Sequence, residues 1–192
     1  QKNIWLCTRD NGIYHIDTNT EIVTAFNTCN NEVHQLTSNN IICAIQDSKD
    51  DLWFGTINGG LIKFDYQKRI FQTFTIEDGL LNNYIYGILE DTKRRDLWLS
   101  TNKGLSKFNI EKNTFTNFNI SHGLVYNQSN FKSSYKDKNG WMYFGTVNGL
   151  TYFHPDSLHF QNNATQIYFS DFTLFNKSVV PDIDGVLEKH ID

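Results

Sequence analysis

Short apolar runs separated by polar stretches rich in Asn, Gly, Thr and Asp recur along this chain. Four of them align in register: Ile4-Trp5-Leu6-Cys7-Thr8, Leu52-Trp53-Phe54-Gly55-Thr56, Leu97-Trp98-Leu99-Ser100-Thr101 and Met142-Tyr143-Phe144-Gly145-Thr146. The aromatic anchors Trp5, Trp53, Trp98 and Tyr143 are spaced by 48, 45 and 45 residues, a mean period of about 46. That period suits a four-stranded propeller blade. It is too long for a leucine-rich repeat, and the apolar positions lack the 3.6-residue spacing of a helical solenoid.

Each position of the unit has a physical role. A small residue after the apolar pair (Cys7, Gly55, Ser100, Gly145) lets a neighbouring sheet approach. The Thr that follows offers a hydroxyl to a backbone group at the strand end. Turns are expected at Asn11-Gly12, Asn58-Gly59, Lys103-Gly104 and Asn148-Gly149, three of them the Asn-Gly pair favoured in tight hairpins. Return strands follow from Ile13, Leu61, Leu105 and Leu150. Outer strands are read at Phe71-Gln72-Thr73-Phe74 and Phe115-Thr116-Asn117-Phe118, with a weaker one from Glu21 to Phe26. The first strand of the next blade runs from Ile41 to Asp47, Ile85 to Asp91 and Phe131 to Asp137, its Asp opening a turn back to the anchor.

The expected fold is therefore all-β: a partial β-propeller of about four blades followed by a truncated β segment. Blade two spans about 41–75 and blade three about 85–119. Blade one lacks its first strand and blade four its outer strand. Residues 1–160 form the propeller part. Residues 161–192 are expected to begin a separate β domain, because the apolar stretch from Thr165 to Phe175 lacks the repeat unit. Blades left incomplete in this way expose strand edges, so the chain is expected either to self-associate, as a homodimer or larger ring, or to close with imported strands.

Composition agrees with many short strands. The chain has 15 Phe, 9 Tyr and 4 Trp but only 2 Pro. Its net charge of -4 is dispersed, with no basic stripe for nucleic acid. No apolar run approaches the length of a membrane-spanning helix. The chain begins at Gln1 without Met, as an excised piece of a longer protein would. Cys7, Cys29 and Cys43 fit no zinc spacing, and they are read as small buried strand residues, with one disulfide left open.

The unit Asn83-x-Ile85-x-x-Ile88-x-Glu90-Asp91, followed by Leu97-Trp98-Leu99-Ser100-Thr101-x-x-Gly104-Leu105, resembles the two-component regulator propeller repeat. Gly79-Leu80 and Gly123-Leu124 match the same pattern. The run Gly145-Thr146-x-Asn148-Gly149-Leu150-Thr151-Tyr152-Phe153-His154-Pro155-Asp156 resembles the final repeat of such sensors, and Ile167 to Val179 is similar to the opening of the Ig-like domain that follows. The resemblance implies the periplasmic part of an inner-membrane hybrid two-component sensor of Bacteroides-type bacteria. It further implies a parent histidine kinase and response regulator that detects oligosaccharides and controls transcription for polysaccharide use. Cys7 and an extra residue within Asp91-Thr92-Lys93-Arg94-Arg95-Asp96 depart from the pattern, so ligand contacts do not transfer from other members.

Candidate chemistry is sparse. The six His residues form no i,i+2 or i,i+4 pair, so no metal and no cofactor is expected. Asp47, Asp91 and Asp137 recur once per blade, which points to turn formation rather than to the paired carboxylates of a glycosidase. The anchors Trp5, Trp53, Trp98 and Tyr143 recur likewise and are read as core between blades. What varies is the loop from each outer strand to the next first strand. It presents Ser38, Asn39, Asn40, then Asn82, Asn83, Tyr84, then Tyr126, Asn127, Gln128. Amides that both donate and accept, beside an aromatic face, suit sugar hydroxyls. The expected function is a non-enzymatic oligosaccharide-sensing module. A propeller enzyme such as a polysaccharide lyase and a structural interaction scaffold are the alternatives.

Overall fold

The computed structural model describes residues 3–29, 36–65, 68, 70–158, 173–174 and 177–178. Four antiparallel sheets follow one another along the chain, each a meander with strands in sequence order. Blade one holds β1 (Asn3–Cys7), β2 (Ile13–Asp17) and β3 (Val23–Phe26). Blade two holds β4 (Ile41–Gln46), β5 (Leu52–Thr56), β6 (Leu61–Asp65) and β7 (Ile70–Phe74). Blade three holds β8 (Ile85–Asp91), β9 (Asp96–Thr101), β10 (Leu105–Asn109) and β11 (Thr114–Phe118). Blade four holds β12 (Ser129–Lys136), β13 (Met142–Thr146) and β14 (Gly149–Phe153). The fold is all-β, a partial propeller of four blades.

The chain divides into Gln1–Leu158, which contains all four blades, and His159–Asp192. In the second unit β15 (Thr173–Leu174) pairs antiparallel with β16 (Lys177–Ser178). The rest of the strand expected from Ile167 to Val179 lies outside the described residues. Among the described residues, no helix is long and apolar enough to cross a membrane.

Hydrophobic burial holds the blades face to face. Trp53, Leu61 and Phe74 of blade two pack against Ile85, Ile88, Leu97, Leu99 and Phe108 of blade three. A second cluster sets Ile13 with Trp5 and Phe26 of blade one against Phe54, Ile62 and Phe64 of blade two. A third sets Trp98 and Leu105 against Met142 and Phe144 of blade four. The alternation of strands β5 and β9 explains this, because successive side chains serve opposite neighbours. Trp53 faces forward to Phe108, 5.7 Å between ring centroids, while Phe54 faces back to Trp5 at 6.0 Å. Tyr143 differs from the three Trp anchors. It is half-buried and stacks within its own blade on Tyr152, 6.0 Å away, rather than lying between blades.

The Thr that ends each anchor strand closes the hairpin. Its hydroxyl donates to a Gly carbonyl in every blade: Thr8 to Gly12 (2.8 Å), Thr56 to Gly60 (2.8 Å), Thr101 to Gly104 (2.8 Å) and Thr146 to Gly149 (2.9 Å). The hairpin turns fall where the sequence places them, with one difference in which residues turn the backbone. In blade two the left-handed residues are Asn58 (φ 69°) and Gly60 (φ 78°), not the Asn58-Gly59 pair. A Cβ on Gly60 would stand 2.2 Å from the Phe74 carbonyl oxygen, and one on Gly104 would stand 2.0 Å from that of Phe118. The outer strand crosses so close to the start of the return strand that only Gly fits.

The start of blade four's inner strand is also corrected. Thr56 and Thr101 pair with Ile41 and Ile85, but the equivalent Thr146 pairs with Ser129, not Phe131. Between Ser129 and Ser134 the register shifts, and the strand accommodates two more residues than β4 or β8 do over the same stretch. Counting back from Asp137 misses this, because a bulge adds residues without altering the flanking pattern. Of the cysteines, Cys7 and Cys43 are half-buried strand residues, whereas Cys29 is exposed in a turn; all three are free thiols.

Candidate functional site

The loops that carry the candidate amides lie against the Thr–Gly hairpins. Asn39 O accepts from Gly12 N (2.9 Å), Asn40 O from Ile57 N (2.9 Å), Asn83 O from Gly60 N (3.1 Å) and Gln128 O from Val147 N (3.1 Å). Thr37 and Ser38 hydroxyls donate to the carbonyls of Gly59 and Ile57. Loop and hairpin therefore form one face of each blade.

Three of the candidate amides have a shared structural task. Asn39, Asn83 and Asn127 occupy equivalent positions, and their Oδ1 atoms accept the backbone N–H of Thr28 (2.8 Å), Ile76 (2.9 Å) and Ile120 (2.9 Å). In blades two and three this bond ties off a short 3₁₀ turn, Ile76–Asp78 or Ile120–His122, that a left-handed Gly79 or Gly123 ends. Asn82 accepts from Tyr84 N at 2.9 Å in an Asx turn. Asn40, Tyr84, Tyr126 and Gln128 remain as side chains on this face with no such recurring task. Among the described residues Asn40 Oδ1 is buried without a hydrogen-bond partner, and Tyr126 is 44% exposed. Tyr126, Asn127 and Gln128 line a shallow cleft of about 620 Å³ with Asn102, Leu124 and Val125.

A second cleft, of about 780 Å³, opens where the first strands of blades two, three and four converge beside β1. Its walls are Ile42, Cys43 and Ile45 of β4, Tyr86 and Leu89 of β8, and Phe131, Lys132 and Ser134 of β12, with Trp5, Cys7 and Arg9. Arg9 stands 6.0 Å from the Phe131 ring centroid, so the first and last blades meet across this cleft. Phe131 meets Tyr86 edge-on at 4.6 Å, and the Tyr86 hydroxyl is 3.4 Å from Asn102 Oδ1. Tyr86 thus joins the two clefts.

Burial pushes the Cys7 thiol up to about 11 and that of Cys43 up to about 12, while the nearby Lys132 ammonium pulls both down. Burial likewise raises Tyr86 above the ordinary phenol value, with Tyr84 adding to it. Arg9, Tyr86, Phe131 and Lys132 escaped the sequence reading. Tyr86 and Phe131 left a signal, aromatics within first strands at positions read in register with aliphatic Ile42 in the one case and Ile41 and Ile85 in the other. Among the described residues no group of three or more His, Cys, Asp or Glu side chains is placed to hold a metal.

On the opposite face the recurring Asp residues build turns. Asp47 Oδ1 accepts from Lys49 N (2.9 Å) and Asp51 N (3.0 Å), and Asp137 Oδ1 from Asn139 N and Trp141 N, both 2.9 Å. Asp91 accepts from Lys93 N at 3.1 Å and from Arg94 Nη1 at 2.9 Å.

Residues 35–58 and 79–103 match the family described as two component regulator propeller. Each match covers the entry to a blade, its first strand and its anchor strand, in blades two and three. No curated protein sequence matches the chain. Among solved structures, the extracellular domain of BT4673 from B. thetaiotaomicron, described as a hybrid two component system, is 24% identical with a TM-score of 0.65, covering 86% of this chain and 22% of that one. A second structure of the BT4673 extracellular domain, described there as a one component system, is 21% identical with a TM-score of 0.64, covering 84% and 23%. The likeness supports the propeller fold, and the chain spans less than a quarter of the length of those chains.

Proposed function

With two-component regulator propeller repeats in blades two and three, we propose that this chain belongs to the extracytoplasmic sensor region of a membrane-bound hybrid two-component system and binds an oligosaccharide. The observation that carries this reading is the match of both blades to that repeat, in register with the observed strands. The loop face adds a surface suited to sugars: Gln128 offers an amide, and Tyr84 and Tyr126 offer aromatic faces, whereas the Asn40 Oδ1 is buried. In this reading Asn39, Asn82, Asn83 and Asn127 hold the loops in shape.

A ligand spanning several first strands would contact several blades at once. It would favour one arrangement of the propeller relative to the following Ig-like domain, within a dimer, and so shift the population of signalling states. The module itself is non-catalytic in this reading. The lyase alternative calls for a His, Tyr or Arg with a carboxylate around the reacting sugar; Tyr86 and Arg9 line the larger cleft, with no carboxylate among its lining residues.

Calorimetry of the intact ectodomain against a glycan panel, with product analysis of the same mixtures, tests the proposal. Binding without turnover is expected. Turnover would favour the enzyme reading, and silence across the panel would leave the interaction scaffold.

A further inference from the structure

The larger cleft has a charge bias that the repeat does not require. Of its lining residues two are cationic, Arg9 and Lys132, and none is Asp or Glu. The chain as a whole carries a net charge of -4, so this site runs against the protein's own field. Both side chains belong to exposed residues, and neither forms an ion pair among the described residues. Elsewhere several basic groups are held in ion pairs: Arg94 and Lys93 by Asp156, Arg95 by Asp47 and Glu90, Lys63 by Asp51.

The backbone that presents Lys132 is unusual as well. Lys132 has φ 52°, a left-handed conformation disfavoured for a residue with a side chain. It lies within the stretch of β12 that is longer than in β4 and β8. A strained bulge is a feature with a cost, and bulges re-aim side chains at the edges of sites. Here it sets Lys132 and the 49%-exposed Phe131 on the cleft wall, with the Arg9 guanidinium 6.0 Å from the Phe131 ring centroid. Phe131 and the edge-on Tyr86 supply an apolar surface on the same cleft wall.

We propose that this cleft binds the charged part of an anionic saccharide, its carboxylate or sulfate held between Arg9 and Lys132 and a sugar face resting on Phe131. This rests on the oligosaccharide-binding reading above and adds the ligand's charge class. Like-signed cations in a concave, partly apolar site focus the field and favour an anion at a small entropic cost. Arg9 suits either group, since its planar fork matches both carboxylate and sulfate oxygens.

The test is calorimetry of the intact ectodomain with three oligosaccharide sets of matched length: uronate-containing, sulfated and uncharged. At least one charged set should bind, more weakly as NaCl rises, and which set binds identifies carboxylate or sulfate. Arg9→Gln and Lys132→Gly should each weaken that binding by about tenfold or more. Glycine suits the left-handed backbone at 132, so the second variant removes the charge without straining the fold. Charged binding that both variants retain would overturn this site. Uncharged sugars binding as tightly as charged ones would overturn the charge inference and leave the oligosaccharide reading standing. Failure of all three sets would overturn both.

Discussion

Arg95 reaches from blade three into blade two, where its Nη2 donates to Asp47 Oδ2 at 3.1 Å. Its Nη1 also donates to Ser48 Oγ (2.8 Å) and to Glu90 Oε1 (2.9 Å), and Glu90 in turn accepts from the Ser48 hydroxyl at 2.7 Å. The Asp47 side chain is fully buried and that of Arg95 is 11% exposed. This network pins the two central blades together on the face opposite the candidate loops. Arg95→Met should lower unfolding stability by about 2 kcal/mol, since Asp47 loses its charged partner but keeps the Trp53 indole and two backbone N–H groups; urea denaturation measures it. Burial alone would raise the Asp47 carboxyl. The Trp53 indole, the N–H groups of Lys49 and Asp51, and Arg95 together hold it below the usual carboxylate range instead. Its stabilising contribution is therefore complete above the unfolded-state value near ~4 and is lost as pH falls through the lower folded value. Stability should decline on acidification below about pH 4, and Asp47→Asn should flatten that decline.

Trp53 and Trp98 hold equivalent positions with unequal bonding. Trp53 Nε1 donates to Asp47 Oδ2 at 3.1 Å, whereas buried Trp98 Nε1 has no hydrogen-bond partner among the described residues. The extra residue between Asp91 and Asp96 shifts the turn, and Arg94 takes the Asp91 Oδ2 that an indole would use. Trp53→Phe should therefore cost about 1.5 kcal/mol more than Trp98→Phe, the worth of a hydrogen bond to a charged group. Equal losses in thermal or chemical unfolding would contradict this.

The small residue after the anchor pair is a packing requirement between blades. A Cβ at Gly55 would stand 2.6 Å from Cys43 Sγ and 2.7 Å from Ile85 Cγ2. Gly55→Ala should destabilise by about 1–3 kcal/mol. Adding Cys43→Ala should restore part of that loss, because it removes one of the two clashes. Strict additivity in the double-mutant cycle would show that the sulfur is not the obstacle.

Asn83 is placed to shape its loop rather than to hold ligand, since its Oδ1 is engaged by Ile76 N at 2.9 Å. Asn83→Ala should cost about 1 kcal/mol in stability and leave saccharide affinity at the wild-type value in calorimetry. Loss of affinity with unchanged stability would return Asn83 to the contact set.

The three thiols should separate by reactivity. Burial pushes Cys7 up to about 11 and Cys43 up to about 12, so neither forms appreciable thiolate at neutral pH. Cys29 is exposed. Alkylation of the native protein at pH 7, read by mass spectrometry, should label Cys29 and spare Cys7 and Cys43 until the chain is unfolded. Prompt labelling of Cys43 would show that the blade interface opens.

The repeat was legible in the chain because blade building is mostly local. An alternating strand, a small residue, a Thr and a Gly each act on neighbours close in sequence, so Trp53, Thr56 and Asp47 announce their roles by recurring. In the chain Asn39, Asn83 and Asn127 read as amides of the variable loops, and only the closure of those loops onto Thr28, Ile76 and Ile120 makes them one structural set. What does not recur could be placed only by the tertiary structure. Arg9 and Lys132 lie in different blades, more than a hundred residues apart, and only the convergence of the first strands makes them neighbours of one cleft. The two additional residues in β12 likewise left the apolar pattern intact while moving Phe131 and Lys132 out of the ladder. The sequence by itself determined the blades, since hydrophobic alternation and turn chemistry are properties of adjacent residues. The tertiary structure decided the site, since its charges are brought together by packing between blades.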